Sequence, residues 1–170
     1  MMRIIETERL ILRELSTDDA EFILELLNEP SFIRNIGDKD VRTTADACQY
    51  ILNGPRTSYE RFGFGLYLVE IKDSGLPIGI CGLLKREALE NADIGFAFLP
   101  RFWSRGYAFE SASAVMIYAK EMLGLNRILA VVNPDNEASI RVLGKIGLRY
   151  ERMVRLSEDG PEIELFASNA

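Results

Sequence analysis

A glycine-containing loop, FWSRGYAFESA at residues 102–112, lies between a strand-like apolar run and a helix-like run. The first N–H groups of a helix have no partner within the helix, and the helix dipole adds partial positive charge there. Glycine lets the main chain approach a ligand closely, and Arg105 adds a full positive charge. The stretch around Gly106 therefore predicts either an anion site that fits a pyrophosphate or a plain turn. It is neither a Walker loop nor a complete GxGxxG pattern.

A carboxylate and a glycine occur in the strand-like run just before this loop, ADIGFAFLP at residues 92–100. If side chains alternate along the strand, Asp93, Gly95 and Ala97 share one face, and larger apolar residues share the other. A glycine inside a strand marks a bulge or a ligand that lies against the main chain. The run predicts either a narrow ligand-binding face with one carboxylate or a solvated sheet edge.

Three polar residues, Asn133, Asn136 and Ser139, stand at the start of a helix-like segment over residues 136–147. Ser139 shares its helical stripe with the apolar residues three, four and seven positions later, so its hydroxyl is expected to face the interior or a cleft. The alternative is a serine that bonds back to a carbonyl of the preceding turn. The two asparagines fit either helix capping or binding of the amide groups of an extended ligand.

Histidine is absent from the whole sequence, and this restricts the chemistry. Acid–base steps must use carboxylates, Tyr, Ser, Cys, Lys, the main chain or water. A zinc enzyme and a Ser-His-Asp hydrolase are therefore not expected. The two cysteines, Cys48 and Cys81, lack a CxxC or zinc-type spacing, so we expect no metal and a reduced, cytoplasmic protein.

The charge balance and hydropathy narrow the list of partners. The 170 residues carry 26 acidic and 20 basic side chains, and this formal net charge of −6 argues against a nucleic-acid-binding face. No apolar run approaches the ~20 residues of a membrane span, and the N-terminal residues do not have the pattern of a signal peptide. With 48% hydrophobic residues, the sequence predicts one domain over residues 1–170.

The remaining periodicities predict a mixed α/β fold whose first half is antiparallel and whose second half contains one strand–helix–strand crossover. Ser16 or Thr17 is expected to cap the first helix, which stops at Pro30, and the second helix is expected to end near Gly54-Pro55. The predicted strands are 9–15, 64–72, 77–86, 92–100, 126–133 and a closing pair around the sequence SEDG. Four helices are predicted: one after Ser16, one over Thr44–Leu52, one that begins at Ala108 and one over 136–147.

Together these features resemble the GNAT superfamily of N-acetyltransferases, and among its branches the one that acetylates the N-termini of ribosomal proteins. The resemblance runs from about Thr7 to Phe166 and is carried by TERLILRELSTDDA, DIGFAFLPRFWSRGYAFESA, NPDNEASIRVLGKIGLRYE and the closing strands, in that order. It implies a single mixed, mostly antiparallel sheet flanked by helices, with splayed central strands. It also implies acetyl-CoA as the acetyl donor.

The resemblance assigns a role to each candidate residue. The superfamily loop reads Gln or Arg, two residues, Gly, one residue, then Gly or Ala, and Trp103 departs from the Gln or Arg here. This leaves the pyrophosphate to main-chain N–H groups and Arg105. Asp93 is implied to orient or deprotonate the amine, and Ser139 is implied to protonate the departing thiolate. The implied acetyl-CoA-binding residues are Phe96, Ala97 and Phe98 along the strand, Ser104, Arg105, Gly106, Tyr107 and Ala108 in the loop, and Asn133 and Asn136.

The expected activity is transfer of an acetyl group to a primary amine, with a main-chain N–H near Phe98 stabilising the oxyanion. An α-amine has a pKa of about 7.7–8.0 and is roughly one-tenth neutral at pH 7, whereas a lysine-type amine is only about 0.04% neutral. A weak carboxylate base therefore favours a peptide N-terminus. The alternatives are a polyamine, aminoglycoside or amino acid acceptor, a non-catalytic acyl-CoA sensor, and a doubly wound nucleotide-binding protein. The oligomeric state stays open, with a homodimer among the alternatives.

Overall fold

An eight-stranded sheet forms the centre of the protein, for which the computed structural model describes residues 2–169. The strand order is β1-β2-β3-β4-β5-β6-β8-β7; β5 and β6 run parallel, and the other neighbours are antiparallel. This confirms the predicted mixed, mostly antiparallel sheet and is unlike a doubly wound fold. The strands are β1 Arg3–Glu6, β2 Leu10–Arg13, β3 Leu66–Ile71, β4 Pro77–Leu84, β5 Asp93–Phe98, β6 Leu129–Val132, β7 Arg149–Val154 and β8 Ile163–Ala167.

Helices cover both faces of the sheet. On one face, Ala112 and Val115 of the longest helix pack with Ile94 and Phe98 in the larger hydrophobic cluster. On the other face, Ile23 of the first helix packs into a second cluster with strand residues of β3 and β4. The helices are α1 Ala20–Leu27, α2 Pro30–Asn35, α3 Thr44–Ile51, α4 Thr57–Phe62, α5 Tyr107–Glu121 and α6 Glu137–Lys145.

The start of the first helical segment follows the predicted capping. The Ser16 side chain accepts a hydrogen bond from the chain that follows, and Asp19 completes a reciprocal capping box. A single 3₁₀ turn over Thr17–Asp19 precedes α1, so the capping residue is Ser16 rather than Thr17. The segment ends at Leu27, close to the predicted stop, but Pro30 begins α2 instead of a loop because proline is well tolerated in a first helical turn.

Two further features differ from the predicted elements. The second helix, α3, ends within one residue of the predicted Leu52, but the chain does not leave helical conformation at Gly54-Pro55, because a π-helical turn over Leu52–Arg56 accommodates buried Pro55 and leads directly into α4. A short strand, β1, precedes the predicted first strand and pairs with β2 at the sheet edge. Four residues with little apolar alternation give too weak a pattern to predict a strand from sequence.

The two central strands separate soon after they meet. β5 and β6 share the single register pair Asp93↔Leu129, and the N–H of Leu129 donates to the carbonyl of Ala92 at 2.9 Å. By contrast, β4 and β5 pair continuously from Leu84↔Asp93 to Gly79↔Phe98. The predicted splay of the central strands is therefore confirmed.

Candidate active site

A cavity of about 530 Å³ opens where β5 and β6 diverge. Main-chain and side-chain atoms of both strands line it, together with residues of α2, α3 and α6. Six of the sequence-predicted site residues line this cavity, namely Asp93, Phe96, Ala97, Asn133, Asn136 and Ser139. The other six, Phe98, Ser104, Arg105, Gly106, Tyr107 and Ala108, lie outside its lining, at the end of β5 and around the start of α5.

The main chain of β5 presents hydrogen-bonding groups to this cavity. The N–H of Leu99 donates to the carbonyl of Ile78 at 3.0 Å, which fixes the phase of the antiparallel ladder with β4. Because main-chain direction alternates along a strand, Phe96 and Phe98 turn their N–H and carbonyl groups away from β4. The register is continuous at Gly95, so this glycine does not mark a bulge. Gly95 lines the cavity, and a Cβ placed on it would lie 3.3 Å from Cδ1 of Leu84.

Trp103, the residue that departs from the superfamily pattern, ties the loop to the end of β5. Its indole N–H donates to the carbonyl of Phe98 at 2.9 Å. The following residue, Ser104, has a left-handed φ of +62°, and Gly106 has a φ of +83°. The indole thus satisfies a carbonyl that β6 no longer reaches, and it fixes the loop relative to the strand.

Asp93 is buried at the point where the two central strands part. It is 1% exposed, so the solvated-edge alternative is wrong. The Nε of Arg86 lies 3.1 Å from its Oδ1 and 3.2 Å from its Oδ2. Burial raises the pKa of Asp93 above its ordinary value, and the Arg86 cation partly opposes this rise. The site holds a carboxylate with increased proton affinity that one arginine keeps in place.

Ser139 lies on the opposite wall, in the first turn of α6. Its main-chain N–H donates to Oδ1 of Asn136 at 3.3 Å, while its hydroxyl makes no hydrogen bond within residues 2–169. The alternative of a serine bonded back to the preceding turn is therefore not found. Asn136 caps α6, and Oδ1 of Asn133 accepts from the N–H of Asp135 at 3.0 Å. Both asparagines cap or brace the chain and also line the cavity.

The carboxylate and the serine approach the cavity from different faces of the sheet. Ile94 and Phe98 belong to the hydrophobic cluster that also contains Leu143 of α6, whereas Ala97 packs against the cluster of α1 and α3. The predicted alternation along β5 is therefore confirmed, and Asp93 lies on the Ala97 side. A group held in the gap between the strands would have the carboxylate on one side and the hydroxyl on the other.

The start of α5 leaves a run of main-chain N–H groups open. The first bond of the helix runs from the N–H of Glu110 to the carbonyl of Gly106 at 3.0 Å. In the described part of the chain, the N–H groups from Arg105 to Phe109 have no acceptor. With the dipole of a 15-residue helix behind them, these groups are arranged as in sites that hold anions.

Arg9 lies beside the glycine loop, and the sequence-based prediction did not include it among the candidate residues. Its Nε donates to Oε1 of Glu110 at 2.7 Å, and its main-chain N–H donates to Oε2 at 2.9 Å. Its Cζ lies 4.4 Å from the ring centroid of Tyr107, and a Cβ placed on Gly106 would lie 3.3 Å from its Nη2. Thr7 also donates to Glu110, at 2.6 Å, so a buttressed guanidinium stands beside the glycine loop.

Glu110 holds this guanidinium as a charged partner. Its partial burial would raise its pKa, but the hydrogen bonds from Thr7 and Arg9 outweigh this and lower the pKa. The contact joins residues 101 positions apart, so no local pattern in the sequence indicates it. Arg86 was missed for the same reason, since its role depends on the pairing of β4 with β5.

Two negative findings apply to residues 2–169. No three His, Cys, Asp or Glu side chains gather there in a way that could hold a metal ion. Among these same residues, every helix is too short or too polar to span a bilayer.

Comparison with known proteins identifies the family. Residues 9–149 match the acetyltransferase (GNAT) domain. The Bacillus subtilis (strain 168) protein named uncharacterized N-acetyltransferase YoaA is 34% identical over 157 residues, which cover 91% of this chain and 88% of that protein.

Solved structures share the fold. An acetyltransferase from Agrobacterium tumefaciens superimposes with a TM-score of 0.85 at 23% identity, covering 100% of this chain and 95% of that one. RimL, the ribosomal L7/L12 α-N-protein acetyltransferase solved with coenzyme A, gives 0.84 at 18% identity, with 98% and 97% covered. Since the family match extends over most of the sequence, this chain belongs to the GNAT family of acetyltransferases and is an acyltransferase enzyme.

Proposed function

We propose that this protein transfers the acetyl group of acetyl-CoA to the α-amine of a peptide or protein N-terminus. The observation that carries the proposal is the gap between β5 and β6, which begins at Asp93 and leaves the main-chain N–H and carbonyl of Phe96 and the N–H of Phe98 without a strand partner. An extended amide-bearing arm can pair with such a strand as a further strand would. The resemblance in fold to RimL, a protein named for α-N-protein acetylation, supports the choice of acceptor.

The donor's pyrophosphate binds at the start of α5 in this proposal. The open N–H groups around Gly106, from Arg105 to Ala108, face the phosphate oxygens, and Ser104 and Tyr107 frame the loop. Arg9 supplies a fixed positive charge beside the loop, where Trp103 replaces the superfamily's Gln or Arg and bonds instead to the strand. Glu110 accepts one hydrogen bond from Nε of Arg9 and one from its main-chain N–H, and together these keep the guanidinium pre-organised.

The pantetheine arm then follows β5 past Phe98, Ala97 and Phe96 toward the gap. The side-chain oxygens of Asn133 and Asn136 accept from the protein, but their amide N–H₂ groups make no hydrogen bond within the described residues. These two groups are therefore available to the carbonyls of the arm, and they lie on the wall opposite β5.

The chemistry divides between the two faces of the sheet. Asp93 takes up the proton of the attacking amine through water while the carbon–nitrogen bond forms at the acetyl carbonyl. A main-chain N–H of β5 that lines the gap, such as that of Phe96, stabilises the oxyanion, because Phe98 lies at the loop end of the strand. The carbon–sulfur bond breaks, the thiolate takes a proton from the hydroxyl of Ser139, and solvent restores that proton and removes the one on Asp93. The products are an amide and free CoA thiol.

The acceptor assignment predicts that purified protein releases CoA thiol when acetyl-CoA meets short peptides with a free α-amine. The same peptides with a blocked N-terminus and an internal lysine serve as the control, because a lysine amine is over two orders of magnitude less neutral at pH 7. Rates are measured with a thiol reagent alongside polyamines and aminoglycosides. Release from these amines but from no peptide contradicts the assignment, and binding of acetyl-CoA without release from any amine fits a non-catalytic sensor.

Gly106→Ala is predicted to weaken CoA binding about tenfold or more, measured by calorimetry. A left-handed φ costs an L-residue about 1–2 kcal/mol, and relief of that strain would move both the open N–H groups and Arg9. Gly75→Ala is the matched control, since Gly75 has a φ of +72° and nothing within 4 Å of its added Cβ. It should lose similar stability and keep its affinity. Equal affinities of the two variants would contradict a phosphate cradle at Gly106.

Arg9→Gln is predicted to raise the Kd for CoA about fivefold to tenfold, because it removes the guanidinium beside the loop. The affinity for pantetheine, which lacks the pyrophosphate, should not change. Arg149→Gln is the control, since Arg149 is exposed and forms no ion pair in the described part of the chain. Equal losses with CoA and pantetheine would show that Arg9 acts only on the fold.

Asp93→Asn is predicted to lower kcat about 100-fold with little change in the Kd for acetyl-CoA. In the wild type, kcat should fall as pH drops through the raised pKa of Asp93, because the protonated carboxyl cannot accept a proton. Arg86→Met removes the cation that opposes this rise, so the acidic limb should move to higher pH. A pH profile that is the same in wild type and Asp93→Asn would exclude Asp93 as the base.

A further inference from the structure

The charged residues of the cavity carry the opposite sign to the whole chain. Three cationic side chains, Arg34, Lys39 and Arg86, line it against one carboxylate, Asp93. The formal charge of the lining side chains is therefore +2, three cations less one carboxylate, in a protein whose formal net charge is −6. Arg34 lies in α2, Lys39 in the segment that follows it, and Arg86 just after β4. Together they form one part of the lining, on the same side as the carboxylate, which we call the cationic wall.

The cationic groups of this wall are largely unpaired. Asp93 occupies only the Nε of Arg86, and the two Nη groups have no acceptor among residues 2–169. Arg34 and Lys39 form neither a hydrogen bond nor an ion pair in that same part of the chain. Arg42, three residues after Lys39, is by contrast paired: its Nη2 lies 2.6 Å from Oδ2 of Asp38. Its main-chain N–H also donates to Asp46 in the first turn of α3.

The three neighbours of Arg86 show that its charge acts across the cavity. Partial desolvation and the Arg86 cation both lower the pKa of Lys39, which is exposed at the cavity mouth. Burial raises the pKa of Tyr50, and Arg86 opposes that rise as it does at Asp93. Arg34, Lys39 and Arg86 line one cavity with a single carboxylate among them, so a bound negative group would reduce the repulsion between these cations.

We propose that the acceptor carries a negatively charged group close to its amine and that Arg86, Lys39 and Arg34 bind it. This inference rests on the proposed function and narrows it to peptides with an acidic residue directly after the N-terminal one. The same wall disfavours polyamines and aminoglycosides, since juxtaposed like charges cost several kcal/mol. A carboxylate and a phosphate offer the same oxygen chemistry to guanidinium and ammonium groups, so both belong in the test.

The test compares tetrapeptide amides that differ only at the second position, as Asp, Asn, Lys or phosphoserine. With purified protein and saturating acetyl-CoA, kcat/KM for CoA thiol release should be at least tenfold higher for Asp than for Asn, and lowest for Lys. The ratio should shrink at high salt, because the wall is partly exposed. A larger value for phosphoserine than for Asp identifies a phosphate as the preferred group.

Variants of the wall give a second readout. Lys39→Gln and Arg34→Gln should each reduce the Asp to Asn ratio at least threefold, and Lys39→Glu should shift the preference toward the Lys peptide. The ratio within one variant is independent of how much protein is folded. Lys120→Gln, on α5 and outside the cavity lining, should leave the ratio as in the wild type. An unchanged ratio in both wall variants overturns the inference.

The outcomes separate the inference from the proposed function. Equal rates with the Asp and Asn peptides overturn the inference and leave peptide acetylation in place. If no peptide is acetylated, the proposed acceptor is wrong. The rate of CoA thiol release is then compared between small amines that carry a carboxylate and the same amines with that carboxylate converted to an amide. A preference for the carboxylate then supports an anion-binding wall, and no preference there overturns it.

Discussion

The site depends on one constraint: within residues 2–169, β5 and β6 pair only at Asp93↔Leu129 and then separate. Main-chain groups inside a protein must find hydrogen-bond partners, so the strand groups released past this pair need partners from elsewhere. Trp103 supplies one of them at the carbonyl of Phe98. The remaining groups along the gap are satisfied by water or by a ligand with a peptide-like arm. Hydrophobic clusters pack against both faces of the sheet at β5.

Both halves of the proposed reaction meet on β5. Its first residue, Asp93, bonds to Arg86 of the cationic wall, and its last residue, Phe98, is bonded to the loop that precedes α5. A strand is stiff along its length, so a donor anchored at Gly106 has a defined reach toward the carboxylate. Arg9 and Glu110 extend this alignment, since they bind the loop to β2 at the far side of the sheet. A fixed spacing between the proposed phosphate site and the proposed base is what direct transfer within a ternary complex requires.

Sequence patterns predicted those parts of the fold that depend on local periodicity. The alternation of β5 placed Asp93 and Ala97 on one face, and the helical stripe of α6 placed Ser139 at the cavity. The glycine loop was visible because left-handed backbone at a helix start favours glycine. Residues that act through distant contacts were not visible. Arg9 meets Glu110 only after β2 and α5 pack together, and Arg86 meets Asp93 only after β4 and β5 pair.

The net charge of the chain is a poor guide to the charge that a substrate meets. An acidic net charge taken alone would favour cationic acceptors, yet the wall around Arg86 is cationic. Surface charges are screened beyond about 10 Å at ordinary ionic strength, whereas charges that share a concave, partly desolvated cavity interact strongly. Arg86 links these effects, because it lowers the proton affinity of Asp93 and also presents two unpaired Nη groups to the acceptor. An anion bound there would weaken the hold of Arg86 on Asp93 and so raise the basicity of the carboxylate as the acceptor arrives.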